Sequence, residues 1–134
     1  MAPQEVFLRG LWRMVPDEED TGWVSRVAAQ AASNEPLGDL PKLVQEMRDA
    51  GLEDAKIARF AKLMAYETAF GMLYHLEDPN ASYTGAEPDE KRLEWELYLR
   101  DQETGKPTEP LNALHEFFLS MDPTGREMRP KPSN

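Results

Sequence analysis

Residues 63–76, LMAYETAFGMLYHL, decide the fold prediction, because apolar side chains occupy almost every side of the helix that they would form. A helix that is apolar all round is normally surrounded by protein, so we expect this stretch to be the central helix of the core. The pattern extends back to Glu53 or Asp54 and ends before Pro79, which cannot continue a helix. The sequence therefore predicts a mainly α fold, a small helical domain of about five helices around a long central helix at about 53–77.

Four shorter helices are predicted on either side of this central helix. Apolar residues recur at helical spacing in the segments 3–15, 21–31, 40–50 and 110–121, and Pro16 stops the first of them. Gly51 follows the third segment and is suited to the left-handed conformation that closes a helix. Pro110 is expected to start the last segment, whose predicted inner side carries Leu111, Leu114, Phe117, Phe118 and Met121.

The segment 92–109 has two readings. Leu93, Trp95, Leu97 and Leu99 alternate with charged or polar residues, which is the periodicity of a strand. A turn at 101–105 and a short return would complete a β-hairpin near 92–109. Because the segment is also rich in good helix formers, an all-α fold is the alternative. We favour the hairpin, and since two strands alone are marginally stable, it must lie on the helices or pair across a dimer.

Length and charge limit the domain organisation and the class of partner. The 134 residues predict a single acidic helical domain over 1–121 and a Pro-rich, weakly basic C-terminal tail over 122–134. The turn formers in 79–89 predict a surface loop. The 15 Lys and Arg residues against 25 Asp and Glu residues give a net charge of −10. That charge opposes binding to nucleic acid or to an anionic membrane surface.

The residue types that are missing narrow the chemistry further. The sequence has no cysteine, which excludes disulfides, thiolate metal sites and thiol nucleophiles. It also has no phosphate-binding loop, dinucleotide fingerprint or hydrolase motif, so we expect no cofactor. His115-Glu116 resembles half of a zinc motif, but Leu119 occupies the position of the second histidine, so we expect no metal site and interpret His115 as a surface or packing residue. The start of the chain does not resemble a secretion signal, and no run of 18 apolar residues occurs; we expect a cytoplasmic protein with no membrane partner.

One group on the central helix has the residue types for chemistry. Glu67, Gly71 and Tyr74 lie along one line of the helix, with His75 beside it. Glu67, Tyr74 and His75 are therefore weak catalytic candidates, and Gly71 would allow a ligand to approach the backbone closely. The same line is typical of a solvent-facing stripe on a packed helix, which is the interpretation that we favour.

A second group of residues suits the binding of another protein. The acidic run Asp17-Glu18-Glu19-Asp20, together with Trp95 and Tyr98, provides candidate partner-binding residues, and we expect the acidic surface to include 87–96. A solvated helix cap is the simpler interpretation of the same acids, and it is the one that we favour. Our first hypothesis is a non-enzymatic protein-interaction module, an inhibitor- or immunity-type binder of a basic partner. The alternative is a small-ligand-binding or enzymatic domain with its pocket at Glu67, Gly71, Tyr74 and His75. A homodimer is also expected if the hairpin or the central helix completes its burial on a second copy.

Overall fold

The fold is taken from a computed structural model, which describes residues 2–78 and 94–132. These residues form a mainly helical structure with one small antiparallel hairpin, which confirms the predicted fold class. In chain order the elements are α1 (Pro3–Met14), α2 (Gly22–Ala28), α3 (Leu40–Asp49), α4 (Asp54–Glu77), β1 (Tyr98–Arg100), β2 (Pro107–Pro110) and α5 (Leu114–Phe118), followed by the 3-10 turn Leu119–Met121. The predicted loop at 79–89 lies outside the described residues.

The long helix α4 is confirmed, but the expectation that protein surrounds it at 63–76 is wrong. Met64 and Met72 have 44% and 62% of their surface exposed, and Leu73 is the residue of this stretch that is fully buried. Apolar composition predicts a helix well, but it does not say how many sides of that helix other elements cover. Here α4 leaves much of its apolar surface exposed to solvent.

The ends of α3 follow from local chemistry that can be read from the sequence. Pro41 lies in its first turn, where a missing N–H costs nothing. At the other end, Gly51 has a φ of +93°. Its N–H donates to the carbonyl of Arg48, and the N–H of Leu52 donates to the carbonyl of Met47. These two bonds are those of a Schellman motif, so the prediction for Gly51 is confirmed.

Two other helices differ from their predicted bounds. Helix α2 ends at Ala28, short of the expected 31. The last helix begins at Leu114, because Pro110 is the final residue of β2 and Ala113 has a φ of +57°, which no α-helix contains. As a result Phe117, expected on the inner side, is exposed.

The hairpin is confirmed, which makes the all-α alternative wrong. β1 and β2 pair antiparallel, with Tyr98 opposite Pro110 and Arg100 opposite Pro107. Asp101 shapes the turn, because its Oδ1 accepts hydrogen bonds from the N–H groups of Glu103 and Thr104. The strands are shorter than the alternating pattern suggests, and Leu93 lies outside the described residues.

The chain divides into two compact units. The 15–66 unit contains α2, α3 and the first part of α4. Its core consists of Val24, Val44, Ile57 and Ala58, one or two from each of its helices. Fully burying an aliphatic side chain of this kind stabilises the folded state by about 1.5–3 kcal/mol.

The second unit, residues 1–14 and 67–134, is called the hairpin unit here. Its centre is the contact between α1 and α5, where the rings of Trp12 and Phe118 lie 4.7 Å apart. The Trp12 indole N–H donates to the buried carbonyl of Phe118 at 3.0 Å. Leu8, Leu73 and Leu114 complete the buried set with Leu111.

The C-terminal stretch begins with a buried carboxylate. Asp122 is almost completely buried, and its oxygens accept hydrogen bonds from the N–H groups of Thr124 and Met128 and from the Thr124 hydroxyl. Residues 122–128 therefore form an ordered turn. The division into a 1–121 domain and a 122–134 tail stays a prediction.

Candidate functional sites

The four residues proposed for a pocket on α4 do not meet in one site. Glu67 is exposed, and a side chain built on Gly71 would meet no atom within 4 Å. Tyr74 packs edge-on against the ring of His115, with centroids 5.1 Å apart. His75 makes its ring contact with Trp95, also at 5.1 Å. The two aromatic candidates are thus used in separate contacts.

A carboxylate and an imidazole meet where α4 ends. The Oε1 of Glu77 accepts hydrogen bonds from the N–H groups of Leu114 and His115, the first residues of α5. Its Oε2 lies 3.1 Å from Nδ1 of His115, which is ion-pair distance, although the two atoms are not hydrogen-bonded. Negative charge at the start of a helix is favourable, so Glu77 holds α5 in place.

Sequence reasoning missed this pair. His115 is wedged between aromatic rings, since Phe70 also contacts it edge-on at 6.0 Å. A carboxylate beside an imidazole orients the ring, as in many general bases, but such a pair does chemistry only beside a substrate or nucleophile. One feature of the sequence could have indicated the role of Glu77. It lies at the end of an apolar helix, where a charged side chain can reach the start of another element.

The cavities of the hairpin unit that are lined by described residues include two of interest. The smaller, about 120 Å³, is bordered by the end of α4, by Trp95 and by the end of β2. The Trp95 indole N–H is buried and finds no acceptor among the described residues. The larger, about 290 Å³, lies between the first turns of α1 and the segment 117–121, and Leu8 and Phe117 line it. Both are smaller than most small-molecule pockets, which measure about 300–1,000 Å³.

Tyr98, the other aromatic partner-binding candidate, is 47% exposed on β1. Its hydroxyl donates to Oε2 of Glu96 at 2.5 Å. This hydrogen bond, together with the negative charge of Glu96, raises the pKa of Tyr98 above its usual value. Trp95, by contrast, is partly buried and contacts His75, so the two aromatics face different surroundings.

The acidic run divides between the surface and the interior of the 15–66 unit. Glu18 has only 8% of its side chain exposed, and its carboxylate lies 3.0 Å from Nζ of Lys62, which is itself buried. Arg59 approaches the same carboxylate at 3.4 Å. Asp17 remains on the surface, where its Oδ1 accepts hydrogen bonds from the N–H groups of Glu19 and Asp20.

The exposed charges of this unit are strongly unequal. Its exposed carboxylates belong to Asp17, Glu19, Asp20, Glu35, Asp39, Glu46, Asp49 and Glu53. Its exposed cations belong to Arg26, Lys42 and Lys56. Residues 87–93, the first part of the other predicted acidic stretch, lie outside the described residues; Glu94 and Glu96, which follow, are exposed.

Neither a metal-binding cluster nor a membrane-spanning helix occurs among the described residues. No three His, Asp or Glu side chains in 2–78 and 94–132 converge in a group that could hold a metal ion. No helix in those ranges has the length and apolar character needed to cross a membrane. No family model matches this sequence, and comparisons with curated proteins and with solved structures find no match.

Proposed function

We propose that this chain is a non-enzymatic protein-interaction module of the inhibitor or immunity type, which binds a basic partner through the outer surface of the 15–66 unit. The observation that carries the proposal is the excess of exposed carboxylates over exposed cations on this unit, eight against three. A surface of one sign attracts a partner of the opposite sign and speeds the encounter.

Internal ion pairs contribute to this excess of exposed carboxylates, because they take up cations of the unit. Lys62 and Arg59 both face the carboxylate of Glu18, and Arg48 faces Asp54 at 2.9 Å. Three of the unit's six cations therefore neutralise interior or half-buried carboxylates and are not on the outer surface. The surface is more negative than the unit's composition suggests.

The same unit also offers an apolar anchor. Phe60 is 62% exposed and Met64, one turn further along α4, is also exposed. Aromatic side chains are enriched at the centres of protein interfaces, where they contribute much of the binding energy. A partner that combines basic residues with an apolar pocket would match both features.

Photo-crosslinking in cells tests the proposal. A benzophenone amino acid is placed at Phe60 and, as a matched control, at Phe117, an exposed phenylalanine of the hairpin unit. We expect capture of one protein from position 60 and not from position 117, and we expect the captured protein to present a basic surface. Capture of an acidic protein, or equal capture from both positions, would contradict the proposal.

The salt dependence of the purified complex provides a second test. Raising the salt concentration from about 50 to 300 mM screens surface charge and should weaken binding at least about tenfold. Glu35→Gln and Glu53→Gln, which change exposed carboxylates, should each weaken binding and reduce the salt dependence. Binding that does not depend on salt would show that the acidic surface is not the recognition surface.

The alternative function, a small-ligand or enzymatic pocket at Glu67, Gly71, Tyr74 and His75, has less support. Glu67 is exposed, and the space next to Gly71 is open. A pocket of this kind needs walls that converge on its polar groups.

A further inference from the structure

Among the described residues, strand β1 pairs with β2 alone, so one of its edges is bonded and no described strand pairs with the other. Its register partners are Pro107 and Pro110, and these opposite residues form non-hydrogen-bonded pairs, so the cross-strand bonds come from neighbouring residues. Thus Leu111 donates to the carbonyl of Leu97 at 2.7 Å, and Asp101 donates to the carbonyl of Lys106 at 2.9 Å. The backbone groups of successive residues point alternately to the two edges of a strand. Since Leu97 and Asp101 bond to β2, the N–H and C=O groups of Tyr98 and Arg100 point away from β2.

The side chains along this second edge of β1 form a short charged pattern. Glu96, Tyr98 and Arg100 occupy every second position, so their side chains lie on one face of the hairpin, and all three are exposed. Within 2–78 and 94–132, Arg100 has no carboxylate at ion-pair distance. Glu96 uses its Oε2 to accept from Tyr98, which leaves its other oxygen available for a cation.

We propose that two copies of this chain associate by antiparallel pairing of their β1 strands about a twofold axis at Tyr98. In this register Tyr98 lies opposite Tyr98 of the second copy, and Glu96 of each copy lies opposite Arg100 of the other. The outward N–H and C=O groups of Tyr98 and Arg100 then form hydrogen-bonded cross-strand pairs. The result is a four-stranded sheet with two cross-strand ion pairs.

Charge complementarity favours this antiparallel register over parallel, in-register pairing of the same strands. A parallel, in-register pairing would place Glu96 opposite Glu96 and Arg100 opposite Arg100, and like charges directly opposite each other destabilise a sheet. Antiparallel pairing about Tyr98 instead places each Glu96 opposite an Arg100, so both pairs of side chains attract each other. A twofold interface requires such a self-complementary surface, and the Glu-x-Tyr-x-Arg sequence supplies one.

The expected dimer is weak and reversible. One pair of short strands buries less than the roughly 1,200 Å² of a stable protein interface. Association should therefore be measured by sedimentation equilibrium of the full-length chain at concentrations up to ~1 mM, where we expect a monomer–dimer equilibrium.

Charge-reversal variants test the register directly. Glu96→Lys places two cations opposite two Arg100 side chains, and Arg100→Glu places carboxylates opposite two Glu96 side chains. Each variant alone should raise the dissociation constant by about tenfold or more. An equimolar mixture of the two should restore association as a heterodimer. In that heterodimer the introduced lysine of one chain faces the introduced glutamate of the other, and the retained Arg100 faces the retained Glu96.

Matched controls are available in and beside the turn. Glu103→Lys and Lys106→Glu make the same changes of net charge at exposed positions outside β1, and they should leave the dissociation constant within about twofold. Circular dichroism establishes that every variant is folded. A wild-type chain that stays monomeric at ~1 mM, or a mixture of the two variants that fails to associate, would overturn the proposal.

Amide hydrogen exchange supplies an independent readout. The amides of Tyr98 and Arg100 should become protected as protein concentration rises, whereas the Leu111 and Asp101 amides, which already bond within the hairpin, should change little. Dimerisation without protection at Tyr98 would place the interface elsewhere and contradict the proposal.

Discussion

Glu18 in the 15–66 unit and Glu77 in the hairpin unit are both largely buried carboxylates, but different groups stabilise them. Two permanent cations, Lys62 and Arg59, face Glu18. Glu77 instead accepts hydrogen bonds from two backbone N–H groups and lies beside His115. Opposite charges thus stabilise the Glu18 carboxylate, whereas the backbone dipoles at the start of α5 stabilise the Glu77 carboxylate.

This difference has a structural consequence for each unit. An ion pair fixes side chains that come from distant parts of the chain, here residue 18 and residues 59 and 62 on α4. A carboxylate on backbone amides fixes the backbone itself, here the first turn of α5. Removing a cation from the first should weaken the compensation of a buried charge, whereas removing the carboxylate from the second should leave amides unsatisfied.

The largest effect is expected for Lys62→Met, which keeps the aliphatic bulk of the side chain and removes its charge. Because the buried Glu18 carboxylate would then lose the nearer of these two cations while Arg59 remains at 3.4 Å, we expect a loss of about 3 kcal/mol in the free energy of unfolding, at the low end for breaking a buried ion pair. Urea denaturation measures it. Lys42→Met, at a surface lysine that pairs with Glu46, is the control and should cost less than about 0.5 kcal/mol.

Adding Glu18→Gln to Lys62→Met sharpens this result. If the cost arises from weaker compensation of the carboxylate, removing that carboxylate should recover part of the lost stability. Additive losses from the two substitutions would show instead that packing, and not charge balance, dominates the site.

A smaller loss is expected for Glu77→Ala in the hairpin unit. The N–H groups of Leu114 and His115 would lose their acceptor, at a cost of about 1–3 kcal/mol. Glu77→Gln retains an acceptor oxygen and should cost less. Glu116→Ala, at an exposed acid in α5, is the control for charge alone. Equal effects of the Ala and Gln variants would contradict the role assigned to the hydrogen bonds.

The smallest effect concerns a carboxylate that is neither buried nor paired with a cation. Hydrogen bonds from the Thr104 N–H, the Thr104 hydroxyl and the Glu103 N–H hold the pKa of Asp101 below its ordinary value of 3.8. A depressed pKa in the folded state means that the stabilisation is complete above the unfolded-state pKa and is lost as the pH falls through the folded-state pKa.

Asp101→Asn tests this pH dependence. The difference in Tm between the wild type and the variant should be largest near pH 6 and should shrink as the pH is lowered below about 4. Thermal unfolding followed by circular dichroism at several pH values measures it. A difference that stays constant with pH would mean that the side chain acts through shape and not through charge.

Local chemistry explains what the sequence could predict. Gly51, Pro16 and the alternation around Leu97 and Leu99 act through their own backbones, so the end of α3, the end of α1 and the hairpin were all predicted. The bounds of α5 were not, because Pro110 fits a strand edge as well as a helix start. Only the strand pairing of Pro110 with Tyr98 decides between them.

The interior charges required information that no local pattern contains. Helical spacing alone assigns Lys62 to the polar side of α4, and its buried partner lies 44 residues earlier in the chain. Glu77 and His115 are likewise 38 residues apart. The same limit applies to burial along 63–76, because the coverage of a helix is a property of its neighbours.

The two prolines of β2 also determine how far the hairpin sheet can grow. On the edge of β2 that faces away from β1, Pro107 and Pro110 offer no N–H group to a further strand. If two β1 strands pair, both outer edges of the resulting sheet are therefore β2 edges. Assembly then stops at two copies, because neither outer β2 edge can pair with the strand of a further copy to extend the sheet into a fibre.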